Sequence, residues 1–285
     1  IGLVLLYLRY TPPTYKASAT LMLKAEKKAD ILGLDELFSA NYDDLLREIE
    51  IVKSSLLLNR ALSRMELDVS YFLEGRSGFL STEVYHGSPF TVEVNKVNDP
   101  DIYNSEIHIT FLDNTKYTLR YTYENQQQTE TFIFNDYFQS ATGAFEIKVS
   151  ISPSLKGDIS EHYGKPYFFT INDKKLLMEK ISARITVEPL NTTTKTLLIS
   201  YVDQNKLKAQ DIVSAVTNEF ILYNVERKME SAVNILSYIE QQIDTFSIEL
   251  AEYQDSLKKF RVENGFINPT DVMSRLVDQI YALEV

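Results

Sequence analysis

The chain has 285 residues, 44% of them apolar, which is enough to build a substantial core and excludes wholesale disorder. A net charge of −11 without a cluster of Lys and Arg excludes nucleic-acid binding, because counterion release from phosphates needs concentrated positive charge. Zero Cys removes disulfides, thiolate nucleophiles and Cys-based metal sites together.

Residues Ile1 to Tyr10 read IGLVLLYLRY and then meet Thr11-Pro12-Pro13. A spanning helix needs about 20 apolar residues, so this run does not span alone. Leu3, Val4, Leu5, Leu6 and Leu8 nevertheless read as the outer end of a transmembrane helix in the lipid bilayer, with Tyr7 and Tyr10 as an interfacial belt and Arg9 snorkelling. The alternative is a buried segment at a domain edge. After Pro13, Tyr15, Ala17, Ala19, Leu21 and Leu23 alternate with a period of two, which predicts a half-buried strand.

From Asn41 the pattern is helical. Leu45, Ile49, Val52 and Leu56 share one face, whereas Ile51, Leu58, Leu62 and Met65 fall on nearly the opposite face. One straight helix cannot satisfy both sets, so a break is expected at Ser54-Ser55, where serine caps a second helix. Residues 81–172 then become rich in Tyr, Phe and Thr, with six alternating runs that predict an all-β subdomain. The aromatic residues read as cross-strand core pairs in preference to a sugar-binding platform. Two more strands are expected, Ile181–Val187 and Thr196–Val202.

The strongest signal follows. Leu222, Val225, Met229, Ala232, Leu236, Ile239, Ile243, Phe246, Leu250, Tyr253, Leu257 and Phe260 fall at steps of three and four without a miss. A stripe repeating every 3.5 residues or so marks a coiled coil, and the helix from Lys206 to Asn264 would measure on the order of 85 Å. Glu263-Asn264-Gly265 gives a stop, and Asn268-Pro269 starts a second helix bearing Met273, Leu276, Ile280 and Leu283. A short connection makes the two arms a hairpin.

The fold class expected is therefore α+β: a membrane-proximal mixed sheet with short helices (13–80 and 173–205), an inserted β-rich subdomain (81–172), a long coiled-coil helix (206–264) and the start of a return helix (265–285), all preceded by the membrane segment 1–12. The three histidines have no ligand spacing, and there is no phosphate-binding loop, dinucleotide turn or GxSxG elbow. No catalytic, metal or cofactor site is expected in this segment.

Several stretches together resemble the polysaccharide co-polymerase family, which comprises Wzz-type chain-length determinants and Wzc-type tyrosine autokinases. They are Pro13 to Ala19 with Tyr15 and Ala17, Glu48 to Ser54 ending in Lys53 and Ser54, and Lys195 to Ser200. Ala215 to Tyr223, containing Asn218, and Phe260 to Asn264 complete the set. Glu83 to Phe90 is similar to the autokinase branch. The resemblance implies an inner-membrane protein with this segment in the periplasm, assembled into rings of roughly eight protomers. It also implies control of the chain length and export of a capsular or exopolysaccharide, with a polysaccharide polymerase and an outer-membrane export channel as partners. ATP and Mg would belong to a cytoplasmic kinase domain beyond Val285. Two other readings stand beside it: an extracytoplasmic sensor and oligomerisation domain of that kinase, and a periplasmic adaptor of a secretion system.

Overall fold

A computed structural model of the chain describes residues 13–23, 41–75, 81–153, 155, 158–263 and 269–283. The expected membrane segment at Leu3–Leu8 lies outside these residues. Among the described residues no helix is long and apolar enough to cross a membrane. The chain divides into two compact units, Ile1–Tyr223 and Asn224–Val285.

The first unit begins with β1 (Tyr15–Met22), α1 (Asn41–Lys53) and α2 (Ser55–Leu62). The break between the helices falls at Ser54, whose hydroxyl accepts the Leu57 amide at 3.3 Å and donates to the Ile51 carbonyl at 2.7 Å. That double use of one side chain ends α1 and caps α2. It also changes the buried face. Leu45, Ile49 and Val52 point inward from α1, and Leu57, Leu58, Ala61 and Leu62 from α2, while Leu56 turns out to solvent.

Nine strands follow: β2 (Val69–Glu74), β3 (Ser81–Glu83), β4 (Phe90–Val97), β5 (Ile107–Phe111), β6 (Lys116–Tyr123), β7 (Gln126–Ile133), β8 (Tyr137–Gln139), β9 (Phe145–Ile151) and β10 (Tyr167–Ile171). They form a six-stranded sheet, β3-β2-β10-β5-β6-β7, and a three-stranded sheet, β4-β9-β8. The two share a core that includes Phe90, Phe111, Tyr117, Phe145 and Phe169, so these aromatic residues of the alternating face are interior. The Glu124-Asn125 turn between β6 and β7 has positive φ at both residues, as a tight hairpin requires.

The chain returns through α3 (Lys174–Arg184), β11 (Ile185–Asn191) and β12 (Thr196–Asp203) before the long helix α4 (Lys206–Glu263). The base sheet has the order β1-β12-β11, with Leu197, Ile199 and Tyr201 buried against the helices. Three expectations are corrected here. The base sheet is antiparallel rather than mixed, since β11 and β12 are joined by a short turn and a parallel pair would need a crossover. Ile181 lies in α3, because Asp173 accepts the Leu176 amide and caps a helix there, and the strand starts only at Ile185. Finally, the insertion begins at Val69 and not at residue 81, because β2 pairs with β10 along its length.

Several buried tyrosines make the first unit sensitive to alkali. Burial raises the hydroxyl pKa of Tyr117, and of Tyr201, where the Asp203 carboxylate adds to the effect. Unfolded tyrosine loses its proton near about pH 10, while these keep theirs to higher pH. The native state therefore binds more protons above that value, so this contribution to stability is whole below about pH 10 and declines as pH rises beyond it. Urea midpoints should fall between about pH 9 and pH 11, with tyrosinate absorbance appearing together with unfolding, and Tyr117→Phe should reduce the fall. Equal midpoints would contradict this account.

Candidate self-association surface

Helix α4 is built by two different uses of one apolar period. Its start is fixed by Asn205, whose side-chain oxygen accepts the amides of Leu207 and Lys208 at 3.0 and 3.1 Å. Over the next turns Ala209, Ile212, Val213, Val216 and Phe220 are buried against the base sheet and its helices. Glu219 sits on the same buried face, 1% exposed, with Arg60 Nε at 2.7 Å and Arg64 Nη2 at 3.2 Å. Lys208 Nζ lies 2.6 Å from Glu83 Oε1, and Asn205 donates to the Glu83 carbonyl at 3.2 Å, tying the end of β3 to the helix start. His86 Nε2 lies 3.0 Å from Asp211 Oδ2 nearby.

In the second unit the period continues but the burial stops. Leu236, Ile239, Ile243, Phe246, Leu250, Tyr253, Leu257 and Phe260 are all exposed, Ile239 least at 47% and Tyr253 most at 72%. On α5 (Pro269–Leu283), Met273, Leu276, Ile280 and Leu283 are exposed too. Water against a stripe of this length is unfavourable: burying each such side chain is worth about 1.5–3 kcal/mol. Contiguous exposed apolar surface of this kind is a candidate site for contact with a protein, a membrane or a ligand.

The positions that carried the family resemblance are spread over the first unit. Tyr15 opens β1 opposite Asp203 and is half exposed, while Ala17 faces the base core opposite Tyr201. Lys53 ends α1 and is exposed, and Ser54 is the helix cap described above. Asn218 is exposed on α4, and Tyr223 is partly buried against the base core. They do not converge on one place. Sequence reasoning missed the Glu219–Arg60–Arg64 cluster, although a Glu interrupting an apolar helical face at Val216, Glu219, Phe220 was a visible signal for a buried partner. A cleft of about 650 Å³ lies between α2 and α3, lined by Ser55, Asn59, Lys174, Lys175, Met178 and Glu179 among others. Among the described residues no cluster of His, Asp and Glu could hold a metal.

Matches to known sequences point to one class: the chain is similar, weakly but over nearly its whole length, to tyrosine-protein kinases of bacteria. The Acinetobacter johnsonii tyrosine-protein kinase ptk is 22% identical over 98% of this chain. A candidate tyrosine-protein kinase in the cps region of Klebsiella pneumoniae is 21% identical over 98%, and the candidate kinase AmsA of Erwinia amylovora 20% over 92%. The chain spans 38%, 39% and 35% of the lengths of the Klebsiella, Acinetobacter and Erwinia proteins. No family model matches it. Among solved structures, Xanthomonas campestris FlgL aligns with 65% of this chain and 55% of its own at 12% identity, but a TM-score of 0.24 carries no argument about fold.

Proposed function

We propose that this chain is the periplasmic, self-associating module of an inner-membrane polysaccharide co-polymerase of the tyrosine-autokinase branch. In this reading it takes part in making and exporting a capsular or exopolysaccharide and in setting its chain length. The observation that carries the proposal is the seam from Leu236 to Leu257, an apolar stripe that the single chain leaves in water. Heterologous contacts between such surfaces close into rings, here of roughly eight protomers. Similarity to kinases over nearly the full chain, one of them from a cps region, supports both the branch and the capsule connection. The same names favour a second output, in which assembly of this module brings cytoplasmic kinase domains together to phosphorylate one another with ATP and Mg. The polymerase and the outer-membrane export channel would then be partners of the assembled ring.

The test is the oligomeric mass of the full-length protein in detergent. Ile239→Asp with Ile243→Asp places two charges on the seam and should shift native mass from assemblies toward single copies. Assemblies of unchanged mass would refute the role given to the stripe.

A further inference from the structure

Strand β7 is the outer edge of the six-stranded sheet, and among the described residues no strand pairs with its free side. An exposed edge is a template for another chain, and natural proteins blunt it with Lys and other charges, Pro, bulges, inward-pointing charged residues or very short strands. Of these devices β7 carries only the inward-pointing Glu130, with no Lys, Pro, bulge or short span. It is 8 residues long, reads Gln-Gln-Gln-Thr-Glu-Thr-Phe-Ile, and pairs with β6 without a register shift. Its one charge, Glu130, is turned to the inner face, where the carboxylate accepts the Tyr121 hydroxyl at 2.5 Å and the Ala141 amide at 3.0 Å. The outer face presents Gln127, Thr129, Thr131 and Ile133, all neutral and exposed, on a chain that carries a net charge of −11.

We propose that β7 docks on β7 of a second copy, antiparallel about a two-fold axis, with Thr129 facing the second copy's Thr129. A two-fold perpendicular to the sheet keeps both outer faces on one side, so outer residues meet only outer residues. Four registers pair five residues or more, and the one centred on Thr131 shortens the overlap to Thr129–Ile133. Centring on Glu130 sets two carboxylates directly opposite each other, which destabilises a strand pair. Centring on Gln128 leaves Phe132 beyond the pairing and shortens the overlap to Gln126–Glu130. Centring on Thr129 pairs Gln126 through Phe132, sets Gln127 against the second copy's Thr131, and faces each Glu130 with a Gln128 amide. The strand is thus complementary to itself without help from a charged partner. This contact is separate from the seam of α4 and, being two-fold, would join a copy in one ring to a copy in another and not neighbours within a ring.

The absence of Cys makes the register readable by single substitutions in the full-length protein. Opposed residues of antiparallel strands have Cα atoms about 4.5–5.5 Å apart, inside the range of about 4.4–6.8 Å that a disulfide accepts. Under mild oxidation Thr129→Cys should form a linked pair on the order of tenfold faster than Thr110→Cys, an exposed position on interior strand β5. Gln127→Cys and Thr131→Cys should link efficiently when mixed and slowly when alone. Circular dichroism confirms that each variant is folded, and the Thr129 linkage is expected to persist in the Ile239→Asp/Ile243→Asp background. Thr129→Cys linking no faster than Thr110→Cys, or equal linking at every position, would overturn the proposal.

Discussion

Replacing Phe90 with Ala should lower the stability of the first unit by about 3–5 kcal/mol, the range for removing a large aromatic side chain from a closed core. Phe90 opens β4 and is fully buried. Its ring lies 5.2 Å from that of Tyr71 in an edge-on arrangement, with Phe111, Phe169 and Tyr167 at 5.7, 6.1 and 6.2 Å. One ring from the three-stranded sheet therefore meets four rings from the six-stranded sheet. Truncation opens a cavity that the surrounding strands, fixed by their ladders, collapse into only in part. Phe90→Leu keeps most of the volume and should lose distinctly less. Urea denaturation followed by near-ultraviolet circular dichroism measures both, and equal losses for Ala and Leu would contradict this account, because the volume that Leu retains would then protect nothing.

The second large effect is expected at Glu219. Arg60→Met combined with Arg64→Met leaves a carboxylate that is 1% exposed without the two guanidinium groups beside it. Removing one side of a buried ion pair costs about 3–5 kcal/mol, and the partial exposure of Arg60 and Arg64 places this case toward the lower figure. Adding Glu219→Met removes the stranded charge and should restore most of the loss, because replacing the whole pair by apolar side chains of similar volume is close to neutral. The triple variant melting no higher than the double variant would mean that the cluster holds α2 and α4 together by geometry and not by charge compensation.

Local pattern carried some of this architecture plainly. The break at Ser54 was legible because two apolar faces half a turn apart cannot lie on one helix, and the helix α4 was legible because its apolar residues recur at steps of three and four. Strand partners were not. β2 pairs with β10, far downstream, and its sequence Val-Ser-Tyr-Phe-Leu-Glu does not say which sheet it joins. β7 was legible only at its end, where Phe132 and Phe134 alternate, because Gln-Gln-Gln-Thr-Glu before them has no apolar alternation. Ile181 misled because Ile181, Ala183, Ile185 and Val187 alternate, yet the helix formers from Lys174 onward and the Asp173 cap decide the first two of these positions. Of the candidate surface, the stripe was visible in advance. The charge cluster of the first unit was not, since Arg60 and Arg64 come to Glu219 only when the fold brings them there.

Asn172 closes the insertion at its neck. Its side-chain amide donates to the Leu67 carbonyl at 2.7 Å and to the Ser70 hydroxyl at 2.8 Å, and its backbone N–H to the Asp68 carbonyl at 2.8 Å. The outgoing and returning strands therefore stand side by side at one doorway, and to the base the whole excursion is equivalent to a short turn. Loop-closure entropy grows only slowly with length, so a cassette hung on such a doorway is free to lengthen, shrink or be exchanged while the framework that holds it stays folded.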